Sequence, residues 1–278
     1  MVIVMENKAY NKSVGSPYII GSSKAPYINS LATKYRSATL WYGVQHPSPG
    51  DYLELISGSN QNLGSGGKRP FTAPTLVDKL STANIRWKAY MESMPNTPCY
   101  AGGTTGLYEG DHNPFVYFKD YKSLYDSKGD GVFTYTLSRI STDLNSSTPP
   151  DFVWVTPNIC DDMHTNGGSC GPTGVSNGDT WLKNNLPTVL SSPWYASGGV
   201  VIITWDESVG TDKTGISGQA SGGHVATVVI SAHNQGAGNF VSIGDHYGTL
   251  RGIEESYGVV PLLGGSANIA NGDLKNAF

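Results

Sequence analysis

The run VVIITWDE occupies residues 200–207, and its two halves carry different information. The first six residues are β-branched or bulky and apolar without interruption. A strand with one wet face would show a polar residue at every second place, so a continuous run predicts a strand covered on both faces. The last two residues are carboxylates, placed where that strand must end. Five other runs share the buried-strand pattern: VIVM (2–5), ATLWYGV (38–44), IRWKAYM (85–91), DFVWVT (151–156) and VATVVIS (225–231).

Between these runs lie helical patterns. PYINSLATKY (26–35) opens with a proline in its first turn, and DYLELISG (51–58) ends at a glycine. PTLVDKLSTAN (74–84) spaces Leu76, Val77 and Leu80 along one face. TWLKNNLPTVLSS (180–192) follows the capping residue Asp179 and contains Pro187, and GTLRGIEESYG (248–258) closes the set. Strands alternating with helices predict a layered α/β domain. No repeat and no linker divides the chain, so one domain over residues 1–278 is expected. The Gly-rich stretches 62–70 and 209–223 are expected as surface loops beside the sheet edge.

Charged residues make up 14% of the chain, against roughly 25% in an average domain. Such a composition suits an extracellular protein. The net charge of −4 gives no general attraction to nucleic acid or to anionic membranes. No apolar run reaches the ~18 residues of a transmembrane segment. The chain opens directly on a strand pattern, which fits the mature form of a secreted protein and equally a cytosolic one. Cys160 and Cys170 flank a short Gly-rich loop and could bridge, leaving Cys99 free or paired elsewhere. No Cys-x-x-Cys zinc pattern occurs. Asn11 and Asn145 stand in N-x-S sequons, which matter only in a glycosylating host.

Open α/β sheets place their sites at the carboxyl ends of strands. Glu6 and Asn7 follow the first run, and His46 and Ser48 follow the second. Asp161, Asp162 and His164 follow DFVWVT, and Asp206 and Glu207 follow VVIITW. One carboxylate after a strand is usually a turn residue. Four polar strand ends predict a convergent cluster. Glu6, Asp206 and Glu207 brought close together would repel one another unless a proton or cation intervened. Oxygen ligands favour Ca²⁺ or Mg²⁺, with Zn²⁺ or Mn²⁺ also admissible. Within HPSPGDYL (46–53), Ser48 has the chemistry of an N-cap, with Pro49 at the first helical position and Asp51 in the first turn. The same place suits a nucleophile, because a helix amino terminus also receives phosphate groups. A metal beside the hydroxyl would lower its pKa.

Remaining motifs weigh less. His46 is expected to make a structural hydrogen bond or to support the site from behind, and His246 to support helix packing. His224 reads as an ordinary loop histidine, and His233 as a solvent-exposed one. GGSCG (167–171) formally fits G-x-S-x-G but does not sit on a strand-turn-helix elbow. DSKGDG (126–131) fails as a calcium loop, having Lys128 at a ligand position.

Six segments in order carry a resemblance: MEN-x-x-Y at the start, HPS-x-x-x-YL, DHNPFVYF (111–118), P-N-x-x-x-DMH (157–164), TWDE (204–207) and HYGTLRGIEESYG (246–258). Together they resemble the phosphoesterase family of bacterial phospholipases C and acid phosphatases, a branch of the alkaline phosphatase superfamily. The resemblance spans Glu6 to about Gly265. It implies an α/β/α sandwich with a mostly parallel central sheet, and metal-assisted phosphoester hydrolysis through a phosphoserine. It further implies Ser48 as nucleophile, Glu6, Asn7, Asp206 and Glu207 as ligands of a divalent metal, and Asn7, His112 and Asn113 as substrate-binding residues. Asp162 and His164 match an aspartate-x-histidine that binds phosphate or protonates the leaving group. One departure stands out: relatives usually carry S-x-P-N where residues 48–51 are S-P-G-D. An ionised Asp51 would repel an anionic substrate, whereas a protonated, metal-bound or averted one would not. Gly50 would allow the loop to be reshaped.

The reading is thus a phosphoric ester hydrolase, an acid phosphatase or small phosphodiesterase acting on a small phosphate ester, with phospholipid head groups as the phospholipase C alternative. Two other classes differ in kind. A serine esterase would need a Ser-His-Asp triad and no carboxylate cluster. A metal- or phosphate-binding module without turnover would keep the fold, and Asp51 is its best argument.

Overall fold

A computed structural model describes residues 1–64, 67, 69–119, 129–164, 170, 171, 174–216 and 221–278. Residues 167–169 of GGSCG, 126–128 of DSKGDG, and parts of both Gly-rich stretches lie outside the described residues. The strands are β1 (Val2–Met5), β2 (Ala9–Asn11), β3 (Tyr18–Ile20), β4 (Arg36–Ala38), β5 (Trp41–Tyr42), β6 (Trp87–Glu92), β7 (Gly131–Tyr135), β8 (Phe152–Thr156), β9 (Val201–Trp205), β10 (Thr227–Ile230), β11 (Asn239–Phe240) and β12 (Gly244–Asp245). The helices are α1 (Pro26–Lys34), α2 (Ser48–Ser57), α3 (Leu76–Thr82), α4 (Leu137–Leu144), α5 (Gly174–Leu190), α6 (Pro193–Ala196) and α7 (His246–Tyr257).

Eight strands form one sheet in the order β11-β4-β10-β9-β1-β8-β6-β7. All its pairings are parallel except those of β10, which runs antiparallel to both β9 and β4. The continuous apolar runs are explained by two cores. Val2 and Val4 of β1 face one core with Tyr52, Leu76 and Leu250 of α2, α3 and α7. Ile3 and Met5 face the other with Ile28, Ile140 and Leu182 of α1, α4 and α5. Side chains alternate across a strand, so each face of β1 needs its own apolar set. The result is the expected α/β/α sandwich.

Two elements differ from the sequence expectation in a way that shapes the site. The run 38–44 does not form one strand. β4 joins the main sheet, while β5 pairs with β12 in a separate two-stranded sheet. β5 thereby delivers Gly43–Pro47 to the carboxyl edge of β1 and β9. Helix α2 starts at Ser48, with Pro47 as N-cap and no side-chain cap. Ser48 is therefore the first helical residue and not the cap. Its helix ends at Gly58, whose φ of 70° is the left-handed value that favours glycine. β7 and α4 were not anticipated from the sequence, and α5 begins six residues before the expected 180. Pro187 lies inside α5.

Residues 209–223 were expected as a plain surface loop, yet its end packs against the site. Ser221 and Gly222 donate backbone hydrogen bonds to Val44 and Gly43. A Cβ on Gly222 would lie 2.4 Å from the Gly43 carbonyl carbon, so only glycine fits there. Gly50 does not reshape its loop either. It is helical, and the Gln45 amide fills the space a side chain would take, 1.5 Å from an ideal Cβ.

Candidate active site

β1 ends at Met5, and the chain turns at Asn7, whose φ is 41°. Asn tolerates this left-handed conformation better than most residues. The turn directs the Asn7 backbone N–H to Asp206 Oδ1 at 3.0 Å and its side-chain amide to Glu207 Oε1 at 2.7 Å. Asp206 and Glu207 follow the neighbouring β9, and Asp206 N donates to Met5 O at 2.9 Å. On the other side of β1, Glu6 N donates to Asp162 O at 2.8 Å, which ties in the segment after β8. Glu6, Asp162 and Asp206 are fully buried, and Glu207 nearly so.

Ser48 faces this cluster. Its hydroxyl donates to Glu6 Oε2 at 3.0 Å, with Asn7 Oδ1 and Glu207 Oε1 each at 3.4 Å. Since the hydroxyl caps no helix amide, its orientation serves the cluster. His112 stands on a 3₁₀ turn (Gly110–His112), with Nδ1 3.0 Å from Asp162 Oδ2 and Nε2 3.4 Å from Glu6 Oε1. The exposed His164 meets His112 edge-on at 5.4 Å, and its backbone N–H donates to Asp162 Oδ1 at 2.7 Å. Asn113 is adjacent but turned into the scaffold. Its carbonyl oxygen caps Phe115 N at 3.2 Å, and its amide donates to the Tyr108 hydroxyl at 3.0 Å.

The electrostatics explain how such a cluster persists. Burial raises Glu6 to about 7, with His112 opposing and Asp162 adding to the rise. Asp206 is raised well above the carboxylate range, first by burial and then by Glu6 and Glu207. Burial alone would lower His112, but Glu6 and Asp162 carry it up to about 9, so it is the local cation. Burial lowers His164 below its ordinary value. Lys8, missed in the sequence, lies beneath the carboxylates and donates to Asn7 O at 3.2 Å. Burial depresses its ammonium, with Glu6, Asp162 and Asp206 opposing.

Among the described residues, Asp206 Oδ2 is buried with no hydrogen-bond partner. An orphaned buried carboxylate oxygen amid other oxygen donors fits a divalent cation. Asn7, Asp206 and Glu207 offer oxygens on one side of Ser48. On the other, Glu6, His112 and His164 present ligand atoms within 4.8 Å of one another. Glu6 belongs to both sides.

Of the remaining histidines, His46 supports the site from behind, as expected. His46 packs its Nδ1 on Glu207 Oε2 at 2.5 Å and its Nε2 on Asp212 O at 2.9 Å, which fixes Glu207 from behind. The Glu207 hydrogen bond raises its pKa against burial. His246 starts α7, is fully buried, and contacts the Asp206 backbone oxygen through Nε2. Burial lowers it to about 4, so it is neutral. His224 is no ordinary loop residue, because its ring stacks on Tyr10 at 4.1 Å. His233 is exposed as expected.

Asp51 points into the preceding turn. It is fully buried, and its Oδ1 accepts the N–H groups of Val44 and Gln45 at 2.7 and 3.2 Å, which fastens the strand-to-helix turn before Ser48. Burial, then Glu54 and Asp206, raise it well above the carboxylate range, so it is a neutral acid. The folded state then holds a proton that the unfolded chain releases above about pH 4. That stability is present at low pH and is lost as pH rises towards the folded pKa. Asp51→Asn, isosteric and neutral, is expected to keep phosphoesterase turnover within about threefold. In metal-free buffer its melting temperature should fall less between pH 5 and pH 9 than that of the parent. Parallel melting curves check this; equal slopes would show Asp51 to be ionised throughout.

Cys160 and Cys170 form a disulfide across the segment after β8, and Cys99 is free and buried. Among the described residues, no helix is long and apolar enough to cross a membrane.

Comparison with known proteins places this geometry. The profile of the Phosphoesterase family matches residues 19–260, which include Ser48, His112, Asp162, His164, Asp206 and Glu207. A phosphatidylinositol-3-phosphatase of Mycobacterium tuberculosis is 28% identical over 278 residues, covering 96% of this chain and 79% of that protein. An acid phosphatase of Aspergillus fumigatus is 25% identical over 183 residues, covering 64% of this chain but only 39% of that protein. A solved structure from Vibrio parahaemolyticus, a protein in the alkaline phosphatase superfamily, superposes with a TM-score of 0.56 at 12% identity, covering 93% of this chain and 65% of that one. That likeness concerns the fold. With most of its length inside the family profile, and with a serine on a helix amino terminus facing buried carboxylates, the chain belongs to the phosphoesterase family and is a phosphoric ester hydrolase.

Proposed function

We propose that the chain hydrolyses phosphate monoesters through a phosphoserine on Ser48. The observation that supports this most is the Ser48 hydroxyl itself, at the amino end of α2 and 3.0 Å from Glu6 Oε2. The phosphoryl group is received at that helix end, where the helix dipole favours negative charge. Ser48 Oγ gives up its proton towards Glu6 and attacks phosphorus. The Oγ–P bond forms as the bond from phosphorus to the leaving oxygen breaks. His112, cationic between Glu6 and Asp162, stabilises charge on the phosphoryl oxygens. His164, the exposed imidazole, protonates the leaving oxygen. It then takes a proton from the water that attacks phosphoserine. The new P–O bond forms as the Oγ–P bond breaks, and Glu6 returns its proton to Oγ, releasing phosphate and restoring Ser48. Asp162 orients His112 through Nδ1 and His164 through its backbone N–H. A divalent cation held by Glu6, Asn7, Asp206 and Glu207 would lower the hydroxyl's pKa and neutralise charge on the phosphoryl group.

The preference for monoesters rests on the two named phosphatases above. Asn113, with its amide engaged in the scaffold, acts by placing His112 beside it. The disulfide supports an oxidising compartment and hence secretion, and residues 1–278 are read as a single domain. Turnover of p-nitrophenyl phosphate, bis-p-nitrophenyl phosphate and phosphatidylcholine, each with and without chelator, tests the substrate class. The monoester is expected to exceed the other two by at least about 100-fold in kcat/KM. Faster release of phosphocholine would turn the reading to a phospholipase C. Turnover of a carboxyl ester surviving chelation, with none of a phosphate ester, would turn it to a serine esterase.

A further inference from the structure

We propose that Tyr52 is a positioning residue for this reaction, holding the Glu6 carboxylate so that one oxygen faces Ser48. Tyr52 lies four residues after Ser48 in α2, on the same helix face. It is fully buried, and its hydroxyl donates to Glu6 Oε1 at 2.6 Å. Its ring lies parallel to the His112 imidazole, with centroids 5.5 Å apart and planes 7° apart. His112 Nε2 approaches the same Oε1 at 3.4 Å. Two donors on rigid supports thus hold Oε1, and Oε2 is left 3.0 Å from Ser48 Oγ.

Glutamate needs this help because its terminal torsion is broad and roughly two-fold, so an unheld carboxylate would rotate. A phenol carries its O–H as a donor at neutral pH. The ring also packs on Trp154, with centroids 6.4 Å apart. Tyr52→Phe retains that packing and the His112 stack, and removes only the hydroxyl that holds Glu6. Residues that orient metal-binding carboxylates change affinity by about 10–100-fold when lost.

The inference rests on Glu6 holding a divalent cation, and the test separates the two claims. Mn²⁺ dissociation constants are measured by electron paramagnetic resonance for the parent, Tyr52→Phe, Glu6→Gln and the double variant. Tyr52→Phe is expected to weaken Mn²⁺ binding about 10–100-fold in the parent background, and by no more than about twofold beside Glu6→Gln. Its kcat for p-nitrophenyl phosphate should fall by about tenfold or more, with KM within about threefold. Weakening by Glu6→Gln but not by Tyr52→Phe would overturn the role of Tyr52 alone. Equal weakening by Tyr52→Phe in both backgrounds would also overturn it, since the effect would not pass through Glu6. No weakening by Glu6→Gln would remove the cation reading, and the inference with it.

Discussion

Ser48→Ala is expected to lower turnover of a phosphate monoester by at least about 10³-fold, because no neighbouring group can take over a covalent nucleophile. Fold and metal content should survive. The hydroxyl caps no helix amide, so its loss exposes no backbone donor. It also leaves Glu6 Oε1 held by Tyr52 and His112. The check is kcat/KM on p-nitrophenyl phosphate, beside a melting curve and a metal assay. A well-folded variant with near-normal turnover would leave Ser48 as a bystander and make water the direct attacker.

Removing the cation should have the second-largest effect. Four carboxylates converge here, with His112 as the local cation. Treatment with a strong chelator is expected to reduce turnover by at least about 100-fold, with recovery on adding back a divalent cation. Asp206→Asn should weaken that cation's binding by about 10–100-fold, its Oδ2 being a buried oxygen without a hydrogen-bond partner. Protons compete for the same oxygens. Glu6 in the metal-free protein is raised to about 7 by burial, so it is largely protonated below that pH. Metal uptake should therefore release protons, and affinity should climb as pH rises through about 7. Calorimetric titration in buffers of different ionisation enthalpy measures the release. Uptake that is independent of pH between 5 and 8 would exclude Glu6 from the ligand set.

How much of this was legible in the sequence follows from the range of each interaction. Strands β1, β8 and β9 could be read because both faces are buried and their residues are apolar or β-branched without a break. β7 alternates less clearly, and β5 was merged with β4 because a sharp exit from the sheet leaves no mark on hydropathy. Glu6, Asp206 and Glu207 could be found because each follows a strand by one or two residues, and Asp162 because it lies in the polar segment after β8. Tyr52 could not, since its partner Glu6 is 46 residues away and a tyrosine in an apolar helix looks like core. The contact of His246 with Asp206 spans 40 residues and is set by α7 docking across the carboxyl edge. The cap reading of Ser48 failed by a single residue. That shift turned its hydroxyl from its own helix towards Glu6, and Asp51, which looked like the misfit, became the neutral peg that fastens the turn.

The most direct measurement of the central claim is mass spectrometry of the protein quenched in acid during steady-state turnover of a phosphate monoester. The mechanism predicts one phosphoryl group on the peptide containing Ser48, absent without substrate and absent in Ser48→Ala. Full turnover with no phosphopeptide at any quench time, even in a His164→Ala variant expected to slow hydrolysis of the intermediate, would contradict it.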